Sequence, residues 1–412
     1  MRKERKSGRA DVGARCPCPY LIALFVFISL LSVSNASAYE LSGYISAEGR
    51  VFFNDPLFPD QKRDNVSLAV KPELYYEWES GSNFTFTPFA RLDSADPERS
   101  HFDIRELNYL RLHDEWELRV GIGKIFWGVT EFVHLIDIIN QTDAVESIDG
   151  EDKLGQPMIH LSVPRDWGVL EAFVLPYFRE RTFPGKNGRF RAPFIVDTDR
   201  VVYESSAEEN NIDIAVRYSN TIGDWDFGIY YFKGTGREPT LLLSADSSGN
   251  PIFIPYYEQI DQTGLDVQAV LGSWLLKLEG LYRKGQREGF YASVGGFEYA
   301  FINMASSGMD LDLIIEWAYD DRGKESTTGY DNDLMGGMRL AFNDAASTDA
   351  LIGIIQDLDS DGSSFAFESS RRIGDNWKVS LDAFIVIDTS EEDAIHSLRD
   401  DDSVSIELAH YF

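Results

Sequence analysis

In 412 residues the chain carries 68 Asp and Glu against 38 Lys and Arg, a formal net charge of −30. An excess of that sign argues against a polyphosphate partner such as nucleic acid. The only cysteines are Cys16 and Cys18, so beyond residue 38 no disulfide, thiol chemistry or lipid-modified cysteine is expected.

Residues 1–38 read as a secretory signal peptide. Arg2, Lys3, Arg5, Lys6, Arg9 and Arg15 form a basic leader, Tyr20 to Val33 is an apolar run too short to span a bilayer, and Ala36-Ser37-Ala38 is a small-x-small cleavage site. From residue 39 to 412 no apolar stretch approaches the length of a transmembrane helix. What the mature part has instead is alternation, the period of a strand with one apolar and one polar face.

Tyr39–Phe53 sets Leu41, Ile45, Ala47, Val51 and Phe53 against Glu40, Ser42, Ser46, Glu48 and Arg50. Val66–Trp78 sets Val66, Leu68, Val70, Leu74, Tyr76 and Trp78 against Ser67, Lys71, Glu73 and Glu77. Phe84–Leu92 follows the same rule. In Phe102–Leu112, Asp103, Arg105, Tyr109 and Arg111 are placed inward because Ile104, Leu110 and Leu112 share the other face. Glu115–Trp127 begins as a strand and then gives way to some thirty residues without period. Met158–Val163 and Val169–Phe178 resume it. Ile212–Tyr218 and Trp225–Lys233 flank Thr221-Ile222-Gly223-Asp224, a tight-turn composition. Leu265–Leu271, Trp274–Tyr282, Phe290–Phe301, Leu311–Tyr319, Leu334–Phe342, Leu351–Asp357, Phe365–Arg372 and Trp377–Ile387 continue the series, and Ser403–Phe412 closes it.

Short turns alternate with longer, polar or acidic connections, and the whole reads as all-β: a transmembrane antiparallel barrel of about 18 strands (16–18) in a Gram-negative outer membrane. A sheet can cross hydrocarbon only if its edges join, so the first strand must pair with the last. Phe412 then resembles the C-terminal aromatic that such barrels present to their assembly machinery. A soluble sandwich or propeller shares short strands and turns, but no blade repeat appears and a sandwich has no need of an apolar outward band on every strand.

The aperiodic stretch 128–157 carries Glu131, Asp137, Asp143, Glu146, Asp149, Glu151 and Asp152, with Ile136, Ile138 and Ile139 as anchors. Either it folds into the lumen as a constriction that favours cations, or it is a solvated external loop. Arg50, Lys71, Arg91, Arg105, Arg119, Lys277 and Arg339 face inward opposite Glu48, Glu73, Asp266, Glu279, Asp312 and Glu316. These sets either impose a transverse field or are salt-bridged wall residues that fill the interior. The six histidines, His101, His113, His134, His160, His396 and His410, show no metal-ligand spacing and no nucleophile turn beside them, so no enzyme, metal or cofactor is expected. Segments 179–211 and 234–262 are long loops, the second with a hairpin around Ser247-Ser248-Gly249-Asn250 whose Phe253, Tyr256 and Tyr257 either stack on a solute or pack the rim.

Arg119-x-Gly121, Trp127-Gly128 and Asp137-x-x-Asn140-x-x-Asp143, followed by Pro157 and preceded by Asp103-Ile104-Arg105-Glu106, resemble an element of a proteobacterial porin-like barrel family of unknown function. The motifs cover residues 103–190, and Gln141 stands where that family often has Pro. A looser similarity, through strand number and Arg119-x-Gly121, is to barrels of the alginate-export type. The resemblance implies an outer-membrane channel with no assigned substrate; the charge pattern of the loop and the inward residues extends this to an expected passive or weakly selective diffusion of small polar or cationic solutes. Its partners would be outer-membrane lipids, the barrel-assembly machinery and a small-molecule solute. A plugged structural or adhesive barrel, or an exporter of an anionic polysaccharide, remains open.

Overall fold

In the computed structural model, residues 39–412 are described apart from 287 and 328; the signal-peptide reading of residues 1–38 falls outside the described residues. Eighteen strands form one closed antiparallel sheet. The first seven are β1 (Tyr39–Phe52), β2 (Asp64–Glu77), β3 (Asn83–Asp93), β4 (Phe102–His113), β5 (Trp116–Gly123), β6 (Gln156–Arg165) and β7 (Gly168–Leu175). Two short strands, β8 (Ile195–Val196) and β9 (Val202–Tyr203), lie outside it. The wall resumes with β10 (Asp213–Ile222) and β11 (Trp225–Thr235), is interrupted by β12 (Thr240–Ala245) and β13 (Pro251–Tyr257), and continues through β14 (Gln259–Leu271), β15 (Trp274–Lys284), β16 (Phe290–Phe301) and β17 (Asp310–Asp320). It ends with β18 (Asn332–Ala341), β19 (Asp349–Asp357), β20 (Ser363–Ile373), β21 (Trp377–Asp388) and β22 (Ser403–Tyr411). The four outlying strands make a separate small sheet on the long-loop side, with β12 and β13 as the hairpin expected around Asn250.

Closure is made by β1 and β22, in register from Tyr44 opposite Tyr411 to Phe52 opposite Ser403. Over that register the two edge strands pair with each other, the closure that a sheet in hydrocarbon requires. Outside, Ile45, Val51, Leu68, Leu92, Ile229, Leu278, Ile354 and Ile406 are exposed along the strands. Near the short turns, Trp78, Trp167, Trp225, Trp274 and Trp377 are exposed in turn, the aromatic girdle of a membrane interface.

Three details differ from the sequence reading. β14 starts at Gln259, six residues before the expected Leu265. β5 stops at Gly123, so the aperiodic stretch runs from 124 to 155. In β4 the face changes partway: Asp103 and Arg105 are buried inside, but Tyr109 and Arg111 turn outward, with Tyr109 packing on Trp78 across the outer surface. The cause is a bulge in the β3–β4 pairing: Thr87 faces Glu106 but Pro88 faces Ile104, so Arg105 is the extra residue on β4. Proline has no N–H to give the ladder, so the pairing slips there and the alternation beyond it inverts.

Candidate functional site

The barrel is not evenly hollow. Residues 124–155 leave β5, cross the interior and return to β6. Their far point is held by two carboxylates on the opposite wall. Glu279 of β15 accepts the N–H groups of Val129 (2.7 Å), Thr130 (3.1 Å) and Ile136 (3.2 Å). Glu316 of β17 accepts those of Glu131 (2.8 Å) and Phe132 (3.1 Å). A loop without regular structure has backbone donors to satisfy, and a buried anion can take several at once.

Phe132 lies over Gly337 and Gly353, which face each other directly across β18 and β19. A Cβ at either position would stand 2.8 Å from the Phe132 ring. The two glycines are the socket of that ring.

Asn140, fully buried, clasps the ends of the loop: its Oδ1 accepts the Ile125 N–H at 2.9 Å, and its Nδ2 donates to Gly123 O at 2.9 Å and Leu154 O at 2.8 Å. Asp137 accepts the Trp127 N–H at 3.3 Å and pairs with Lys153 at 3.2 Å. Burial pushes the Asp137 carboxyl up, and Lys153 only partly offsets it. The spaced Asp-Asn-Asp motif thus has one structural duty at each position. Ile136, Ile138 and Ile139 pack with Trp127 against inward-facing Met158, Phe173, Leu175, Tyr230, Phe232 and Ile260. That side of the lumen is filled by an apolar core.

Asp143 and Glu146 reach the β3–β4 wall. Asp143 takes Arg105 at 2.6 Å and the Thr182 hydroxyl at 2.7 Å; Glu146 takes Arg91 at 2.8 Å. Arg91 and Arg99 also meet at Glu48, at 3.2 and 2.8 Å. His101 Nε2 stands 3.4 Å from Asp143 and 3.6 Å from Glu146, and its Nδ1 lies 3.1 Å from the Arg99 carbonyl. Burial works against the imidazolium, but Asp143 and Glu146 outweigh it, so the His101 pKa is raised. Burial would likewise raise Asp143, yet His101, Arg105 and Thr182 hold it well below the usual carboxylate range. Sequence spacing could not reveal this grouping, because its members come from three separate segments.

The remaining expected residues divide between anchors and lining. Glu131 pairs with Arg339 and, at 3.9 Å, with Lys277, both of which also bind Glu298. Arg50 pairs with Glu48 at 3.2 Å. Arg119 sits apart from the open lumen, inward on β5 opposite His160 and Leu110. Phe412 ends beside β1, its N–H donating to Gly43 O at 3.1 Å. Asp149, Glu151 and Asp152 are exposed to a cavity of about 780 Å³, with Lys71 and Lys124 among its other lining residues.

This cavity is the open part of the lumen, bounded by the loop and by β18–β22 and β1–β4. Among the described residues its lining holds twelve acidic side chains against five basic ones. Glu368 and Asp382 face each other directly across β20 and β21, as do Glu407 and Glu48 across β22 and β1. The sequence motif contained Asn140 without indicating its clasp, and no sequence pattern pointed to Glu368, Asp382 or Glu407.

At the outer mouth, residues 183–194 fold back over the opening. Arg189 pairs with Asp401 at 2.5 Å, the Phe190 N–H donates to Asp401 at 2.8 Å, and Gly185 N–H donates to Asp96 at 2.9 Å. Phe190 holds a left-handed backbone (φ 56°), rare for a bulky residue, and packs on Phe52 and Phe384 beneath Arg50. The hairpin aromatics pack: Tyr257 is buried against Phe178 and Tyr203, and Phe253 lies on Phe194.

The fold has solved counterparts. A BenF-like porin from Pseudomonas fluorescens Pf-5 matches with a TM-score of 0.51 at 9% identity, over 91% of this chain and 97% of that one. The barrel has the porin fold. OprB of Pseudomonas putida (TM-score 0.44, 9% identity, 94% and 96% covered) and a mutant of Rh. blastica porin (0.44, 12%, 91% and 100%) are more distant in shape. No protein-family model and no curated protein sequence matches the chain.

Proposed function

We propose that the protein is an outer-membrane diffusion channel for small polar solutes, preferring cations, with residues 124–155 as its constriction. The charge of the open lumen carries this reading. Asp149, Glu151 and Asp152 border it on the loop side, and Glu368, Asp382 and Glu407 on the wall side. Arg50, Arg91 and Arg105 border it too, each already paired with a carboxylate, while Lys71 and Lys124 form no ion pair among the described residues and are outnumbered by the acidic lining. Acidic rims at a narrow point attract cations and repel anions. The same rim weighs against export of an anionic polysaccharide. The signal-peptide composition of residues 1–38 supports passage to the outer membrane, and solute transfer would be diffusion through water without a catalytic step.

The test is reversal potential in a planar bilayer under a KCl gradient. The expected sign is that of cation selectivity, and Glu368→Gln with Asp382→Asn should move it toward zero. Anion selectivity would overturn the preference, and absence of channel events both in the intact protein and after deletion of residues 130–155 would overturn the channel. One observation favours a plugged barrel as second reading: the segment 183–194 locked over the outer mouth by Asp401 and Asp96. That reading predicts no conductance until the lock is broken by Asp401→Ala.

A further inference from the structure

A second cavity, of about 230 Å³, lies between residues 142–150 of the inserted loop and residues 181–196. It shares Ser147, Ile148 and Phe190 with the lumen, so the two adjoin at the outer mouth. Its lining is the reverse of the lumen's: among the described residues Arg181 and Arg191 are its only charged members, and most of the rest is apolar, including Phe183, Phe190 and Phe194.

Arg191 is the unusual residue. Seven arginines are buried among the described residues. Six of them, Arg91, Arg99, Arg105, Arg189, Arg237 and Arg283, have a carboxylate in ion-pairing distance. Arg191, 7% exposed, has none among the described residues. Its guanidinium rests 4.3 Å from the Phe58 ring centre, one terminal nitrogen donates to the carbonyls of Ala192 (3.0 Å) and Pro193 (3.3 Å), and its Nε is buried without a partner. The Nε of Arg181 is likewise buried and unpartnered. A buried cation without a counter-ion is costly. In a chain with 68 carboxylate side chains, these two guanidiniums line one cavity without an ion pair among the described residues, and Asp401 and Asp96 act on Arg191, and Glu238 on Arg181, only from longer range.

We infer that this cavity binds a small organic monocarboxylate with an apolar body. The planar forks of Arg181 and Arg191 match a carboxylate in two-point geometry, and the phenylalanine walls accept an aromatic or aliphatic body. A cation gains nothing there, and an inorganic anion leaves the apolar walls unused. The site does not depend on conduction: it stands or falls by binding alone, whatever the channel measurements give.

The experiment is titration of the full-length protein in detergent micelles with phenylacetate, phenylethylamine and inorganic phosphate, followed calorimetrically. Phenylacetate should bind, phenylethylamine should not, and phosphate should bind more weakly. Arg191→Gln and Arg181→Gln should each weaken phenylacetate about tenfold or more, the scale of one charge-assisted hydrogen bond. Should Arg191→Gln fail to fold, Arg181→Gln carries the test, since Arg181 is only partly buried. Undetectable phenylacetate binding by the wild-type protein, equal binding of phenylethylamine, or unchanged affinity in a folded variant would overturn the inference. Phosphate binding as tight as phenylacetate would overturn its apolar half.

Discussion

Removing the Glu279 carboxylate is the sharpest test of how the inserted loop is held. Three loop N–H groups converge on it: Val129 and Thr130 on Oε1, Ile136 on Oε2. Glu279→Ala orphans all three around a fully buried position, although the Val129 N–H is only part-buried. At about 1–3 kcal/mol per unsatisfied buried donor, the upper bound is about 3–9 kcal/mol, lowered by whatever water enters the lumen. Glu279→Gln keeps an acceptor at Oε1 but turns an amide toward Ile136, orphaning one donor, or about 1–3 kcal/mol. Amide hydrogen exchange over residues 129–136 should therefore accelerate strongly in the alanine variant and modestly in the glutamine variant, with the rest of the barrel unchanged. Single-channel current should become noisier in the same order. If the alanine variant exchanges like wild type, the carboxylate is not what fixes the loop, and Phe132 and the isoleucine core must hold it unaided.

Two further outcomes follow from the same anchoring. Gly353→Val places a methyl-bearing carbon against the Phe132 ring, where even a Cβ stands at 2.8 Å; the overpacking should cost about 1–3 kcal/mol, seen as a lower unfolding midpoint in detergent, and Phe132→Ala in the same chain should restore it. Because the His101 pKa is raised above its unfolded value by Asp143 and Glu146, its contribution is complete below the unfolded pKa and is lost as pH rises through the folded one. Exchange protection of residues 143–146, corrected for intrinsic rates, should thus decline above about pH 6.5 in the wild type, and His101→Gln should flatten that decline; parallel slopes would show that Arg91, Arg99 and Arg105 hold the segment alone.

The wall was legible because lipid imposes the period: outward residues must be apolar at every second position, so eighteen segments announce themselves. Where the rule is obeyed twice over, the sequence misleads. β7 and β11 present Phe173, Leu175, Tyr230 and Phe232 inward as well as apolar side chains outward. Such two-faced strands signal an interior core, and they were the available clue that something apolar must enter the barrel and cover them. Pro88 shifted β4 by breaking one ladder bond, an effect visible only with its partner strand in place. The pairings of Asp143 with Arg105 and Arg189 with Asp401 join segments 38 and 212 residues apart, and no local pattern encodes them.

The loop's residues separate by task, and the separation has a mechanical consequence. The side chains of Asp137, Asn140, Asp143 and Glu146 are buried and bonded, whereas Asp149, Glu151 and Asp152 are exposed to the lumen. The distal anchors are carboxylates of the wall acting on backbone N–H groups, so they constrain the loop's path without regard to which side chains it carries. With both ends clasped by Asn140 and the far turn fixed on Glu279 and Glu316, the loop behaves as part of the wall. Under the proposed channel reading, selection among solutes would then rest on a fixed field, set by a few exposed carboxylates that can change in number or sign without loosening the structure that presents them.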